Sequence, residues 1–137
     1  MFFVDTNVWL ERLLQQEHAE EAISFFSAVH SEDIYLSDLG LHPIGIILYR
    51  FGKKKAFEEF IKESFIDYST NIVSLPSHEL NQVTRFEQLD FEDAYQAVVS
   101  AKYHLQLVSY DKDFSKQGIL TLSPAAALIE YKMAKQI

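Results

Sequence analysis

The chain contains no cysteine, so disulfides and thiolate metal sites are excluded and an intracellular setting is permitted. Glycine and proline are scarce, 4 and 3 among 137 residues, and no linker-like, repeated or low-complexity stretch divides the chain. We read residues 1–137 as one domain, long enough to bury a sizeable core. No apolar run approaches the roughly 20 residues of a membrane span, and the start lacks the basic residues and small-residue cleavage site of a signal peptide. The expectation is a soluble, cytoplasmic protein. Cations are also in the minority: 12 Lys and Arg stand against 20 Asp and Glu, a formal net charge of −8. That sign opposes binding to nucleic acid by phosphate neutralisation alone. The main basic cluster is Lys53-Lys54-Lys55, preceded by Arg50 and followed by Lys62, and such a run also reads as a solvated face.

What the chain does have is apolar patterning that alternates between two periods. Phe2-Phe3-Val4 reads as a short buried strand that turns at once into a helix carrying Val8, Trp9, Leu10 and Leu13. Helical spacing recurs at Ala22, Phe25, Phe26 and Val29, at Phe57, Phe60, Ile61 and Phe65, and at Phe91, Ala94, Tyr95, Val98 and Leu105. Between these lie the strand-like runs 34–36, 72–75, 105–109 and 119–122. A last helix begins at Pro124, which suits a first turn, and offers Ala127, Leu128 and Tyr131 to the core. Strands separated by helices imply an α/β fold, with a parallel central sheet covered on both faces.

Three groups of acids interrupt this pattern. Asp5 follows the first strand, Asp93 stands at the third position of a helix whose N-cap is Asp90, and Asp111 and Asp113 follow the run ending in Val108-Ser109. Each has an ordinary explanation as a cap or an Asx turn. All three, however, fall at strand carboxyl ends or helix starts, and in a parallel sheet these open onto one edge. Carboxylates gathered there repel one another unless a proton or cation compensates them, and they suit Mg²⁺ or Mn²⁺. The chemistry that such ions support at phosphodiesters is hydrolysis.

The stretches FVDTNVWLE, DFEDAYQAVVSA and LVSYDKDF, in this order and spacing, resemble the PIN-domain family, and the likeness spans almost the whole chain. The resemblance implies a three-layer α/β/α sandwich and a nuclease that hydrolyses RNA with Mg²⁺ or Mn²⁺. Many small members are VapC-like toxins, neutralised by a separate antitoxin protein and often homodimeric. It also implies Asp5, Asp93 and Asp111 as catalytic metal ligands, Asn7 and Ser109 as supporting polar residues, and Asp113 as an accessory acid. Lys53, Lys54 and Lys55 become the candidate RNA contact.

The family places one more acid, usually Glu, in the helix after the second strand. Here that stretch is LSDLGLHPIGIILYRF, and the matching position is Pro43. Proline brings neither a side-chain oxygen nor an N–H, so the helix is expected to start near residues 39–41 or to kink. Asp38 and His42 are the nearest substitutes. Three acids still suffice for Mg²⁺, which keeps several waters and often uses one or two protein carboxylates. Two readings therefore stand: an active ribonuclease, or a degenerate PIN-like domain that binds RNA or protein without catalysis.

Overall fold

A computed structural model describes residues 1–136. In chain order the elements are β1 (Phe2–Val4), α1 (Thr6–Leu13), α2 (Ala19–Ala28), β2 (Ile34–Ser37), α3 (Asp38–Arg50), α4 (Lys54–Ile61), β3 (Asn71–Val73), α5 (Phe91–Lys102), β4 (Gln106–Val108), α6 (Asp113–Lys116), β5 (Thr121–Leu122) and α7 (Pro124–Lys135). All pairings are parallel, and the sheet order is β3-β2-β1-β4-β5.

The central strand shows why its sequence is a continuous apolar run. Phe2 and Val4 point into one core half, with Trp9, Phe25 and Phe60, while Phe3 enters the other, with Val99, Leu107 and Phe114. A strand buried on both faces has no position left for a polar residue. The first half is largely aromatic: Phe2 meets Phe25 edge-on at 5.5 Å, and Trp9 meets Phe60 at 5.3 Å. In the second, Ala94, Tyr95, Val98 and Val99 of α5 cover the sheet. The architecture is the expected three-layer α/β/α sandwich.

The topology also creates a crevice. From β1 the chain builds outward through β2 and β3 on one side, and β4 and β5 are added on the other. The direction therefore reverses between β1 and β4, and beyond the carboxyl ends of such neighbours the flanking loops part and leave room for a ligand. Register fixes what stands there: Val4 pairs with Val108, and the Asp5 N–H donates to the Val108 carbonyl at 2.9 Å. Asp5 and Ser109 thus leave the sheet side by side.

The strands are shorter than the apolar runs suggest. The 72–75 run yields β3 at Asn71–Val73, because the Leu75 N–H is taken by the Tyr95 hydroxyl at 2.9 Å and Leu75 turns into the core beneath α5. Leu105 lies on neither α5 nor β4: the helix ends at Lys102, and His104 follows with a φ of 55°. Among the described residues no helix is long and apolar enough to cross a membrane.

Pro43 corrects the expectation for α3. The helix begins at Asp38, earlier than residues 39–41, and continues past Pro43 to Arg50. Ser37 makes this start, since its Oγ accepts from the Gly40 N–H at 2.8 Å. Further in, Ile44 and Leu48 are buried against the sheet, and that burial outweighs the backbone bond that proline forfeits to the Leu39 carbonyl. Pro43→Ala restores the N–H. It should stabilise the protein by about 1–3 kcal/mol in urea unfolding; a destabilised variant would show that the ring itself is needed for packing.

Candidate metal centre at the sheet switch point

Asp5 occupies the N-cap position of α1, yet its side chain makes no capping bond. Instead, Asp5 Oδ2 accepts from Ser109 Oγ at 2.6 Å. The same Ser109 oxygen accepts from Asn7 Nδ2 at 3.2 Å and from the Asp111 N–H at 2.9 Å, so its one proton and both lone pairs are committed. The Tyr110 N–H in turn donates to Asn7 Oδ1 at 3.4 Å. Asn7 and Ser109 therefore lock the start of α1 to the end of β4. Asp5 is only 4% exposed, and burial pushes its carboxyl up to about 6 while the Ser109 hydrogen bond pulls in the opposite direction.

The capping and turn explanations hold for some of the acids and free others. Asp90 is the N-cap of α5, accepting from the Asp93 N–H at 2.8 Å, which leaves the Asp93 carboxylate to face the crevice. Asp111 forms an Asx turn, its Oδ1 accepting from the Asp113 N–H at 2.8 Å. Asp93, Asp111 and Asp113 each present a carboxylate oxygen within 4.8 Å of the others. The three acids that converge thus include Asp113, expected only as an accessory, whereas Asp5 stands behind them in the buried Ser109 network. Asp93 is pushed up to about 7, first by burial and then by the charges of Asp5, Asp90, Asp111 and Glu92.

Three polar residues complete the walls: Thr6, expected at most as a helix cap, and Glu92 and Gln96, which carried no expected role. Thr6 Oγ1 donates to Glu92 Oε1 at 2.8 Å, with the Gly40 carbonyl 3.4 Å away on the same side. Gly40 permits this approach, because a Cβ there would lie 3.2 Å from both Ser37 Oγ and Thr6 Oγ1. Gln96 is 1% exposed. Its amide is turned toward Asp5, where it favours the ionised carboxylate, but Nε2 closes no hydrogen bond of good geometry. A buried donor left unpaired costs about 1–3 kcal/mol. The signal for Gln96 lay in its spacing: three residues after Asp93, it shares that face of α5 in an otherwise apolar stretch.

Other candidates lie elsewhere. Asp38 is engaged by the Leu39 N–H at 2.8 Å and by the Tyr95 hydroxyl at 3.2 Å, and His42 is exposed on α3, so neither enters the acid group. Lys53, Lys54 and Lys55 are exposed beyond the far end of α3, a helix that carries the chain about 20 Å from Asp38. The donor set itself fits a hard divalent cation: all three converging ligand atoms are carboxylate oxygens, the preference of Mg²⁺ and Mn²⁺.

The raised acids set a sign for pH dependence. A carboxyl whose pKa is higher folded than unfolded holds its proton more firmly in the native state, so its contribution is full at low pH and is lost as pH rises through the folded value. With Asp5 near 6 and Asp93 near 7, the metal-free protein should lose melting temperature between about pH 5 and about pH 8. Asp93→Asn should flatten that slope. A melting temperature that climbs across this interval in the presence of chelator would contradict the crowded-carboxylate description.

Solved structures share the fold. The structure is similar to VapC20 of Mycobacterium tuberculosis, a sarcin-ricin loop cleaving toxin, with a TM-score of 0.73 at 19% identity over 88% of this chain and 97% of that one. It is similar to FitAcB from Neisseria gonorrhoeae, with a TM-score of 0.70 at 20% identity over 90% and 98% of the two chains. A toxin-antitoxin complex from Klebsiella pneumoniae gives 0.70 at 17% identity over 90% and 98%. At these identities the likeness is one of fold. No curated protein sequence matches the chain. Residues 2–120, however, match the PIN domain, a span that takes in β1, α5, β4 and every acid of the crevice; the chain belongs to the PIN-domain family.

Proposed function

We propose that this protein is a metal-dependent ribonuclease of the PIN type, the toxin of a toxin-antitoxin pair, acting in the cytoplasm as a homodimer. The observation that carries the reading is the convergence of Asp93, Asp111 and Asp113 at the switch point, with Asp5 held behind them. These acids would hold Mg²⁺ or Mn²⁺. When bound, such an ion activates water and offsets the charge that develops on a phosphodiester.

The chain's own groups do the rest. Ser109 donates to Asp5 Oδ2 and favours its ionised form despite burial. Asp93, which burial and neighbouring acids push up to about 7, would have to be ionised to serve as a ligand. Asn7 keeps the α1 and β4 ends from drifting apart. A crevice this acidic repels RNA until a cation compensates it, which couples substrate approach to metal loading. Lys53, Lys54 and Lys55 would then contact RNA that flanks the cut rather than the scissile phosphate.

The toxin assignment draws on the fold neighbours, of which one is a toxin-antitoxin complex and another a toxin. A protein antitoxin would lay an amphipathic helix or extended peptide in an apolar groove. Leu41, Gly45, Ile46 and Tyr49 of α3, with Phe57 of α4, line such a groove beside Asp38.

RNA cleavage in Mn²⁺ tests the reading. Asp93→Asn and Asp111→Asn should each lower the rate by ~100-fold, the scale set by losing a few kcal/mol of transition-state stabilisation, and chelator should abolish cleavage in the wild type. Wild-type RNA binding without any cleavage would favour the binding-only domain, a reading for which the absence of an oxygen at Pro43 speaks. Full activity in Asp93→Asn would reject the site.

A further inference from the structure

We propose that Glu92 is a further acid of this centre, beside Asp5, Asp93, Asp111 and Asp113: a positioning residue that supplies from the first turn of α5 the negative charge that α3, with Pro43, does not. The inference deepens the metal-centre reading and rests on it. Glu92 is half-buried, and the Thr6 hydroxyl 2.8 Å from its Oε1 fixes it where the first turns of α1, α3 and α5 meet. Glu92 adjoins Asp93 in the chain, and Thr6, which holds it, adjoins Asp5, so its charge lies beside both acids.

Among the described residues Asp5, Glu92, Asp93 and Asp111 form no ion pair, while Asp113 has Lys116 Nζ 3.6 Å from its Oδ1, and the carboxylates next to Glu92 add like charge to like charge. In a chain of net charge −8, their hydrogen bonds do not cancel the mutual repulsion of Asp5, Glu92, Asp93 and Asp111, and a cation joining them would. Gln96 is an independent sign: a side chain 1% exposed, turned to Asp5 with Nε2 unpartnered, marks the crevice floor as a polar site rather than packed core. Glu92 lies outside the three oxygens that approach within 4.8 Å. It therefore acts on the ion through charge and through the orientation of its helix turn, as groups around metal ligands do.

Calorimetric titration of the metal-stripped protein with Mn²⁺, paired with its melting temperature, separates this role from a brace between helices. Glu92→Gln keeps an oxygen for Thr6 and deletes only the charge. It should weaken Mn²⁺ binding about tenfold and raise the metal-free melting temperature by roughly 2 °C as repulsion is relieved. Thr6→Val deletes the hydrogen bond and keeps the charge, and should lower the metal-free melting temperature, the opposite sign to Glu92→Gln. Unchanged Mn²⁺ affinity in Glu92→Gln, beside normal binding by the wild type, would overturn the proposal and leave the metal centre standing. A wild type that takes up no Mn²⁺ would overturn both.

Discussion

The hydrogen bond from Ser109 Oγ to Asp5 Oδ2 joins residues 104 positions apart, and the geometry of the whole crevice depends on it. It exists because β1 and β4 pair in parallel with Val4 opposite Val108, so the next residue on each strand emerges at the same edge. The Ser109 hydroxyl then reaches Asn7 on α1 and the backbone of Asp111. A shift of one residue in register would send these side chains to opposite faces of the sheet. The apolar pairing beneath is thus what places the polar groups above.

Charge works against the fold at this point. Burial and mutual repulsion push Asp5 and Asp93 above the ordinary carboxylate range, which means that the ionised crevice is a source of instability without a counter-ion. Natural proteins keep such strain where function needs it. The rest of the molecule offsets it through two apolar layers, one dominated by Trp9, Phe25 and Phe60 and the other by Phe3, Leu107 and Phe114. Pro43 fits the same pattern: α3 tolerates a lost backbone bond because Ile44 and Leu48 anchor it.

Much of this was legible in the sequence, for definite reasons. Buried strands in a parallel sheet are apolar runs, and amphipathic helices show their period, so the sandwich could be read from Phe2-Phe3-Val4 and from the spacing on α5. Asp5 and Asp111 stood out because they follow apolar runs at strand ends, Asp93 as an acid of a helix first turn, and the family resemblance joined the three. The nearness of Asp113 to Asp93 was not legible, since it depends on how the Asx turn at Asp111 folds back. Glu92 was hidden beside Asp93 as one more acid of a helix first turn. Only the tertiary contact with Thr6 distinguishes it. Strand ends were overestimated where a side chain such as Tyr95 captured a backbone group that local sequence assigns to the ladder.

The most direct measurement is an anomalous-difference map at the manganese edge from crystals grown with Mn²⁺. It should show a peak bounded by the carboxylates of Asp93, Asp111 and Asp113, with Asp5 behind it, and the peak should vanish in Asp93→Asn. No peak at saturating Mn²⁺, or a peak elsewhere on the chain, would contradict the assignment of this crevice as a metal centre.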